Sequence, residues 1–202
     1  MILGVTGGIG SGKSTVAKIF RKMHIRVVEA DELAHHLLQN PRIKKKIVSL
    51  WGNNVLYHRE INRRWLARKI FSSPEERWKL EEILHPPIIR IIRKKIQQAR
   101  KAGKDLVVVV PLLLEKGLEE IFDQVWLVTA PHRERIRRIQ VRDGVSAYSI
   151  RKRISAQMHE WTKRSKADRI ISTFVPLPEL EKEIQRLWRE VKKSTGSPAG
   201  NS

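Results

Sequence analysis

The stretch Gly7-Gly8-Ile9-Gly10-Ser11-Gly12-Lys13-Ser14-Thr15 decides the fold, and its first eight residues match the pattern G-x-x-x-x-G-K-[ST] in full. The apolar run Ile2–Thr6 before it predicts a buried strand, and apolar residues at helical spacing follow it over 14–23. A glycine-rich turn between a strand and a helix is the setting in which backbone N–H groups and a helix N-terminus bind phosphate. The stretch therefore predicts a phosphate-binding loop.

Each residue type in this loop has a physical role in nucleotide binding. Glycines let the backbone turn sharply and approach phosphate oxygens. Lys13 can reach the β- and γ-phosphates of ATP, and Ser14 can offer its hydroxyl to Mg²⁺. We therefore predict ATP contacts for Gly8, Gly10, Ser11, Gly12, Lys13, Ser14 and Thr15. The loop alone does not distinguish an NTPase, which uses water as acceptor, from a kinase, which uses a bound hydroxyl.

Short apolar runs alternate with helical patterns along the rest of the chain. Further strands are predicted at Arg26–Val28, Leu106–Val110, Val125–Thr129 and Arg169–Ser172. The valines of 107–110 are typical of a strand buried on both faces of a parallel sheet. Helices are predicted over 32–38, most of 41–103 with a break at Pro86-Pro87, 131–142, about 147–166 and 177–191. This alternation predicts an α/β fold with helices on both faces of a parallel sheet.

The spacing of these elements also predicts the organisation of the chain. We expect a single domain over 1–193, with a core of about 1–31, 104–142 and 167–193. The stretch of about 32–103 is too long for one crossover connection, so we predict a helical insert there. The small, polar residues 194–202 are expected to form a disordered tail.

Composition limits the class of protein. The 202 residues include no cysteine, which excludes disulfides and fits a cytoplasmic protein. The longest apolar run, Leu106–Leu114, is shorter than the roughly 20 residues of a membrane span, so we expect no membrane segment. We also find no signal peptide.

The formal net charge of +20 favours anionic partners. The basic residues are spread over many helices, and we find no nucleic-acid-binding motif with interleaved aromatic residues. We therefore expect phosphate-rich substrates and a solvated basic surface rather than nucleic acid.

Asp31 ends the second predicted strand, on the edge where parallel sheets place their ligands. A carboxylate there can orient an attacking hydroxyl, accept its proton, or hold Mg²⁺ through water. It can equally be the N-cap of the helix predicted over 32–38. Position alone leaves both interpretations open.

Two further features have both a functional and a structural interpretation. Several arginines follow the strand Val125–Thr129, and such a group can stabilise charge on a transferring phosphoryl group or be surface residues. His85 stands before Pro86-Pro87 and is either part of a site or a structural residue. The arginines are Arg133, Arg135, Arg137, Arg138 and Arg142.

An ordered set of motifs, reaching to about Ser172, resembles the dephospho-CoA kinase family. The opening Gly4–Thr15 matches that family almost letter for letter. The other matching segments are Glu29-Ala30-Asp31, Asn62-Arg63, Leu80-Glu81 with His85-Pro86, Pro111-Leu112-Leu113-Leu114-Glu115, Arg138, Arg142-Asp143-Gly144, Arg153-Ile154 with Gln157, and Ala167-Asp168.

This resemblance implies that ATP phosphorylates the ribose 3′-hydroxyl of dephospho-CoA, giving CoA and ADP. It implies a P-loop nucleotide-kinase fold in which the insert binds the CoA portion and the residues at about 143–166 form a helical lid. Carried over residue by residue, it makes Asp31 the base or hydroxyl-orienting carboxylate and gives Lys13 and Arg138 the role of stabilising the phosphoryl group. It places Arg63 and His85 on the acceptor side and Arg142 on the ATP side. We expect a monomer or weak oligomer.

Three positions depart from the family pattern. Val109 stands two residues before Pro111, where the family has Asp, and Glu29 replaces the first Asp of its Asp-Ala-Asp. Thr173 stands where the family has an Asn near the adenine.

Two other functions compete with this interpretation. One is a kinase of the same fold acting on another small hydroxyl acceptor, such as a nucleoside or nucleotide. The other is a basic nucleic-acid-binding protein with a P-loop. A regulatory GTPase is disfavoured because the chain contains no Asn-Lys-x-Asp element.

Overall fold

The computed structural model describes residues 1–195, with the side chains at 71, 72 and 195 left out. The described chain divides into two compact units. One is formed by Met1–Val28 together with the residues from Ile96 onward, and the other by Glu29–Lys95. The predicted tail lies outside the described residues except for 194 and 195, which do not form a tail because they end the last helix.

The first unit is organised by a five-stranded sheet. The strands of the chain are β1 (Ile2–Thr6), β2 (Arg26–Glu29), β3 (Leu56–Tyr57), β4 (Glu60–Ile61), β5 (Leu106–Val109), β6 (Gln124–Thr129) and β7 (Arg169–Ser172). The large sheet has the order β2-β5-β1-β6-β7, and β1 lies parallel to both β5 and β6. Because β7 is also parallel to β6, with Thr129 opposite Ser172, the carboxyl ends of β1, β6 and β7 share one edge. The parallel sheet is confirmed.

Helices cover this sheet and build the second unit. They are α1 (Lys13–Lys22), α2 (Ala30–Leu37), α3 (Pro41–Trp51), α4 (Arg63–Ser72), α5 (Pro74–Lys101), α6 (His132–Asp143), α7 (Ala147–Ser155), α8 (Glu160–Ser165) and α9 (Leu177–Thr195). Phe20 of α1 lies between Trp126 of β6 and Trp188 of α9, with ring centroids 5.8 and 5.4 Å away. This aromatic core anchors α1, and therefore the loop that precedes it, to the sheet. None of the helices over the described residues is long and apolar enough to cross a membrane.

The position Val109 belongs to the same core. Its side chain is 3% exposed and packs in the cluster that contains Val5, its partner in β1. A carboxylate buried among these apolar side chains would carry a desolvation cost of several kcal/mol unless it were paired. Valine at this position therefore strengthens the core of the sheet.

The second unit has its own apolar core, centred on Ile47 and Val55, which are both fully buried. It also contains a hairpin of β3 and β4 that the sequence did not predict. The two turn residues, His58 and Arg59, adopt positive φ angles of 47° and 62°, a conformation usually signalled by Asn-Gly. The hairpin was missed because neither residue carries that signal.

Two predicted helix boundaries were wrong. Helix α5 continues through Pro86 and Pro87, although each proline lacks the N–H that would bond the carbonyl four residues earlier. Burial of Leu80, Leu84 and Ile92 on the same helix outweighs that loss. The single helix predicted at about 147–166 is instead α7 and α8, separated by a short connection at 156–159.

Candidate functional site

The loop after β1 has a backbone that only glycine allows at two decisive positions. Gly7 has a φ of 154°, and a Cβ there would lie 2.3 Å from the carbonyl oxygen of Val128. Gly12 has a φ of 95° and occupies the N-cap position of α1. A Cβ on Gly12 would lie 2.8 Å from Oγ1 of Thr173. The pattern of glycines therefore follows from close packing of the loop against β6 and the residue after β7.

Lys13 lies across this loop. Its Nζ donates hydrogen bonds to the carbonyl oxygens of Gly7, at 2.8 Å, and Gly8, at 3.0 Å. The ammonium is thus held at the mouth of the loop, which is where the charge of a bound β- or γ-phosphate would be neutralised. Ser14, in the first turn of α1, is exposed.

Two side chains from distant elements hold Ile9 in the middle of the loop. Nε of Arg135, on α6, donates to the Ile9 carbonyl at 2.9 Å, and Oε1 of Gln157 accepts from the Ile9 N–H at 3.0 Å. Arg135 is 6% exposed, and its guanidinium lies 3.4 Å from Glu160. Burial lowers the pKa of Arg135, and the charge of Glu160 partly offsets that shift. The sequence named Arg135 only as one of five arginines that could be functional or surface residues, so its contact with Ile9 was not predicted.

Arg138 is one turn further along α6 and contacts Thr173. Its Nη1 donates to Oγ1 of Thr173 and its Nη2 to the Thr173 carbonyl, each at 2.8 Å. Its Nε donates to Glu134, also at 2.8 Å. Hydrogen bonds from Arg137 and Arg138 lower the pKa of Glu134 to about 2.

Thr173 joins this arginine to the loop. Its hydroxyl donates to the Ser11 carbonyl at 2.7 Å, and its backbone N–H donates to the Thr129 carbonyl at 2.9 Å. The structure thus brings Ser11, Gly12, Arg138 and Thr173 together.

Arg142 differs, because it is exposed and forms a bidentate pair with Asp143, at 2.7 and 3.0 Å. The hydrogen bond from Arg142 lowers the pKa of Asp143.

A pocket of about 310 Å³ lies beside the loop, within the first unit. Gly8, Ser11, Thr129, Arg135, Gln157 and Lys163 are among the residues that line it. Lys163 is 2% exposed and its Nζ lies 2.5 Å from Glu115, which belongs to the Pro-Leu-Leu-Leu-Glu segment. This buried ion pair attaches α8 to the segment after β5. Glu160, the partner of Arg135, also lines the pocket, so the charges of both lining cations are balanced by carboxylates.

The predicted acceptor-side residues lie in the second unit. Helix α2 begins at Ala30, with Glu29 at the N-cap position and no side-chain cap, so the N-cap interpretation of Asp31 is wrong. Asp31 is instead an exposed residue of the first turn, where the helix dipole favours a carboxylate. Arg63 is exposed at the start of α4, which Asn62 caps by accepting from the Trp65 N–H at 3.0 Å. His85 is half-buried within α5.

Comparison with known proteins shows a likeness over most of the chain. Residues 1–175 match the family model of dephospho-CoA kinase. The dephospho-CoA kinase of Wolinella succinogenes is 36% identical over 192 residues, covering 95% of this chain and 94% of that protein.

Solved structures agree with this comparison. The structure of dephospho-CoA kinase from Campylobacter jejuni has a TM-score of 0.72 at 28% identity, covering 96% of this chain and 98% of that one. Shikimate kinase from Acinetobacter baumannii, at a TM-score of 0.58 and 13% identity, covers 97% of this chain and 95% of its own. At that identity, the match to shikimate kinase shows a shared fold only.

Proposed function

The chain belongs to the dephospho-CoA kinase family and phosphorylates dephospho-CoA with ATP in CoA biosynthesis, and we propose how its residues divide this reaction. The observation that carries the proposal is the position of Lys13. Its ammonium donates hydrogen bonds to the carbonyl oxygens of Gly7 and Gly8, at the mouth of a complete phosphate loop. We assign it to the charge that develops on the γ-phosphoryl group during transfer.

The acceptor is activated by Asp31 in this proposal. The 3′-hydroxyl oxygen attacks the γ-phosphorus, the bond from that phosphorus to the β–γ bridging oxygen breaks, and ADP leaves. The hydroxyl proton passes to the Asp31 carboxylate and then to solvent. The exposure of Asp31 and its freedom from a capping role support this assignment.

Arg63 and His85 are proposed to bind the acceptor. Arg63 is an exposed cation at the start of a helix, suited to an anionic phosphate of the CoA portion. Arg138 is proposed to stabilise the transferring group, using N–H groups beyond the three already bonded to Glu134 and Thr173. Arg142 is proposed as an ATP-side contact.

The family's use of ATP is consistent with a divalent metal, which we propose to be Mg²⁺. Mg²⁺ typically takes one or two protein oxygens and completes its shell with phosphates and water. The exposed Ser14 hydroxyl fits that demand, and the described residues contain no cluster of three or more candidate metal ligands that would indicate a separate metal cage. When bound with ATP, the metal would supply charge neutralisation at the β- and γ-phosphates.

Mixing the purified protein with ATP, Mg²⁺ and dephospho-CoA tests the assigned reaction directly. We expect equal amounts of CoA and ADP. A panel of nucleosides and nucleotides as alternative acceptors is the control. If a nucleoside supported ADP formation while dephospho-CoA did not, the acceptor assignment would be wrong.

The remaining expectations stay predictions. We propose a cytoplasmic protein that is a monomer or weak oligomer, with a helical CoA-binding insert and a lid at the boundaries given above. Analytical ultracentrifugation tests the assembly. A gel shift at near-physiological ionic strength tests the nucleic-acid alternative, which tight binding there would revive.

A further inference from the structure

A peptide unit points its C=O and its N–H in opposite directions because the unit is planar and trans. Anchoring a carbonyl on one side of a loop therefore aims the next residue's N–H at the other side. A phosphate loop works through the direction of its N–H groups. The partners of its carbonyl oxygens thus decide how well it binds phosphate.

Two carbonyl oxygens of this loop are anchored by side chains that come from outside it. The Ser11 carbonyl accepts from the Thr173 hydroxyl at 2.7 Å, which aims the Gly12 N–H away from Thr173. The Ile9 carbonyl accepts from Nε of Arg135 at 2.9 Å, which aims the Gly10 N–H away from Arg135. Both anchors are buried, Thr173 and Arg135 each being 6% exposed.

The Thr173 hydroxyl has only one hydrogen, so its orientation matters. Nη1 of Arg138 donates to Oγ1 at 2.8 Å and occupies an acceptor position on that oxygen. The hydroxyl hydrogen is then left to point at Ser11, at 2.7 Å, in preference to the Thr129 carbonyl at 3.4 Å. The backbone of Thr173 is itself held by the Thr129 carbonyl, at 2.9 Å. Arg138, Thr173 and the loop therefore form one connected hydrogen-bonded chain.

We propose that Thr173 and Arg135 are positioning residues that orient the peptide units of the phosphate loop for ATP. Neither needs to touch the nucleotide, since each acts through a carbonyl of the loop. The proposal deepens the proposed function, and it concerns ATP binding alone. It also gives a role to Thr173, which stands where the family has Asn.

Thr173→Ser and Thr173→Ala are the decisive pair, because they differ from each other by a single oxygen atom. ATP affinity is measured by calorimetry without an acceptor, so the result does not depend on the acceptor assignment. We expect Thr173→Ser to bind ATP nearly as tightly as the parent. Thr173→Ala leaves the Ser11 carbonyl without its donor and should bind about tenfold more weakly.

Arg135→Met tests the second anchor, with Arg137→Met as its control. The control side chain is 68% exposed and pairs with Glu134. We expect about a tenfold loss of ATP affinity for Arg135→Met and almost none for Arg137→Met. Because each anchor is judged by its own pair of variants, this comparison decides the proposal for Arg135 whether or not Thr173→Ala folds.

Thermal unfolding of each variant separates positioning from stability. A purely structural role predicts a lower unfolding midpoint with unchanged ATP affinity well below that midpoint, and this result would overturn the proposal. Equal ATP affinities for Thr173→Ser and Thr173→Ala would overturn it for Thr173. Equal affinities for Arg135→Met and Arg137→Met would do so for Arg135.

Discussion

The phosphate loop and the acceptor-side residues differ in how they are built. The loop is nine consecutive residues, and buried side chains from α6 and from the segment after β7 hold it. Asp31, Arg63 and His85 come from three helices, and the first two are exposed. We infer that the ATP site is preorganised within its own unit, whereas the acceptor side depends on groups spread along the chain. Groups that are already in place before the reaction stabilise the transition state most where charge develops in it.

Replacing Lys13 is the strongest way to test the preorganised region. Lys13→Ala should lower kcat by at least about 10²-fold, because the developing charge on the phosphoryl group loses its cation. Lys18→Ala, an exposed change on the same helix, is the matched control and should leave kcat unchanged. CoA formation at saturating substrates is the measurement. A kcat within a fewfold of the parent would contradict the role of Lys13.

Replacing Asp31 tests the acceptor-side residues. Asp31→Asn keeps the shape but cannot accept a proton, so kcat should fall by at least about 10²-fold while the KM for ATP changes little. The neighbouring Glu32→Gln is the control. Because Asp31 does not cap α2, loss of activity without loss of stability would identify a chemical role. Near-full activity of the Asn variant would remove Asp31 from the mechanism.

A smaller effect is expected for Arg63. Arg63→Ala should raise the KM for dephospho-CoA about tenfold and leave the KM for ATP unchanged, because a charge-assisted contact to the acceptor is lost. Arg64→Ala, the exposed neighbour, provides the comparison. Steady-state kinetics with each substrate varied in turn separates the two constants. If both KM values rose together, the division between an ATP region and an acceptor region would fail.

The smallest effect concerns how the stability of the protein depends on pH through Glu134. This residue accepts a hydrogen bond from Arg138, which in turn contacts Thr173. The pKa of Glu134 is lowered from 4.5 to about 2, so its contribution to stability is present above about pH 4.5 and is lost as the pH falls toward 2. Glu134→Gln should therefore be less stable than the parent at neutral pH, and the difference should shrink over that window. Unfolding midpoints between pH 7 and 2 measure it. A difference that stayed constant with pH would contradict the assignment.

The structure departed from sequence-based expectation at three places where the local residue preference did not decide the conformation. Pro86 and Pro87 favour a helix break, yet burial along α5 keeps the helix continuous. The residues His58 and Arg59 carry no turn signal, yet they close a hairpin. Asp31 has the residue type of an N-cap, but the helix begins one residue before it. For the two prolines, the free energy of packing along α5 exceeds a local preference of about 3 kcal/mol per residue.

The sequence by itself determined the phosphate loop, the parallel sheet and the kinase family, because these depend on consecutive residues and on the periodicity of apolar ones. Tertiary structure alone decided which side chains support the loop. Arg135 contacts Ile9 across 126 positions, and Thr173 contacts Ser11 across 162. No local pattern encodes such pairs, because the parallel sheet brings together strand ends that are far apart in sequence.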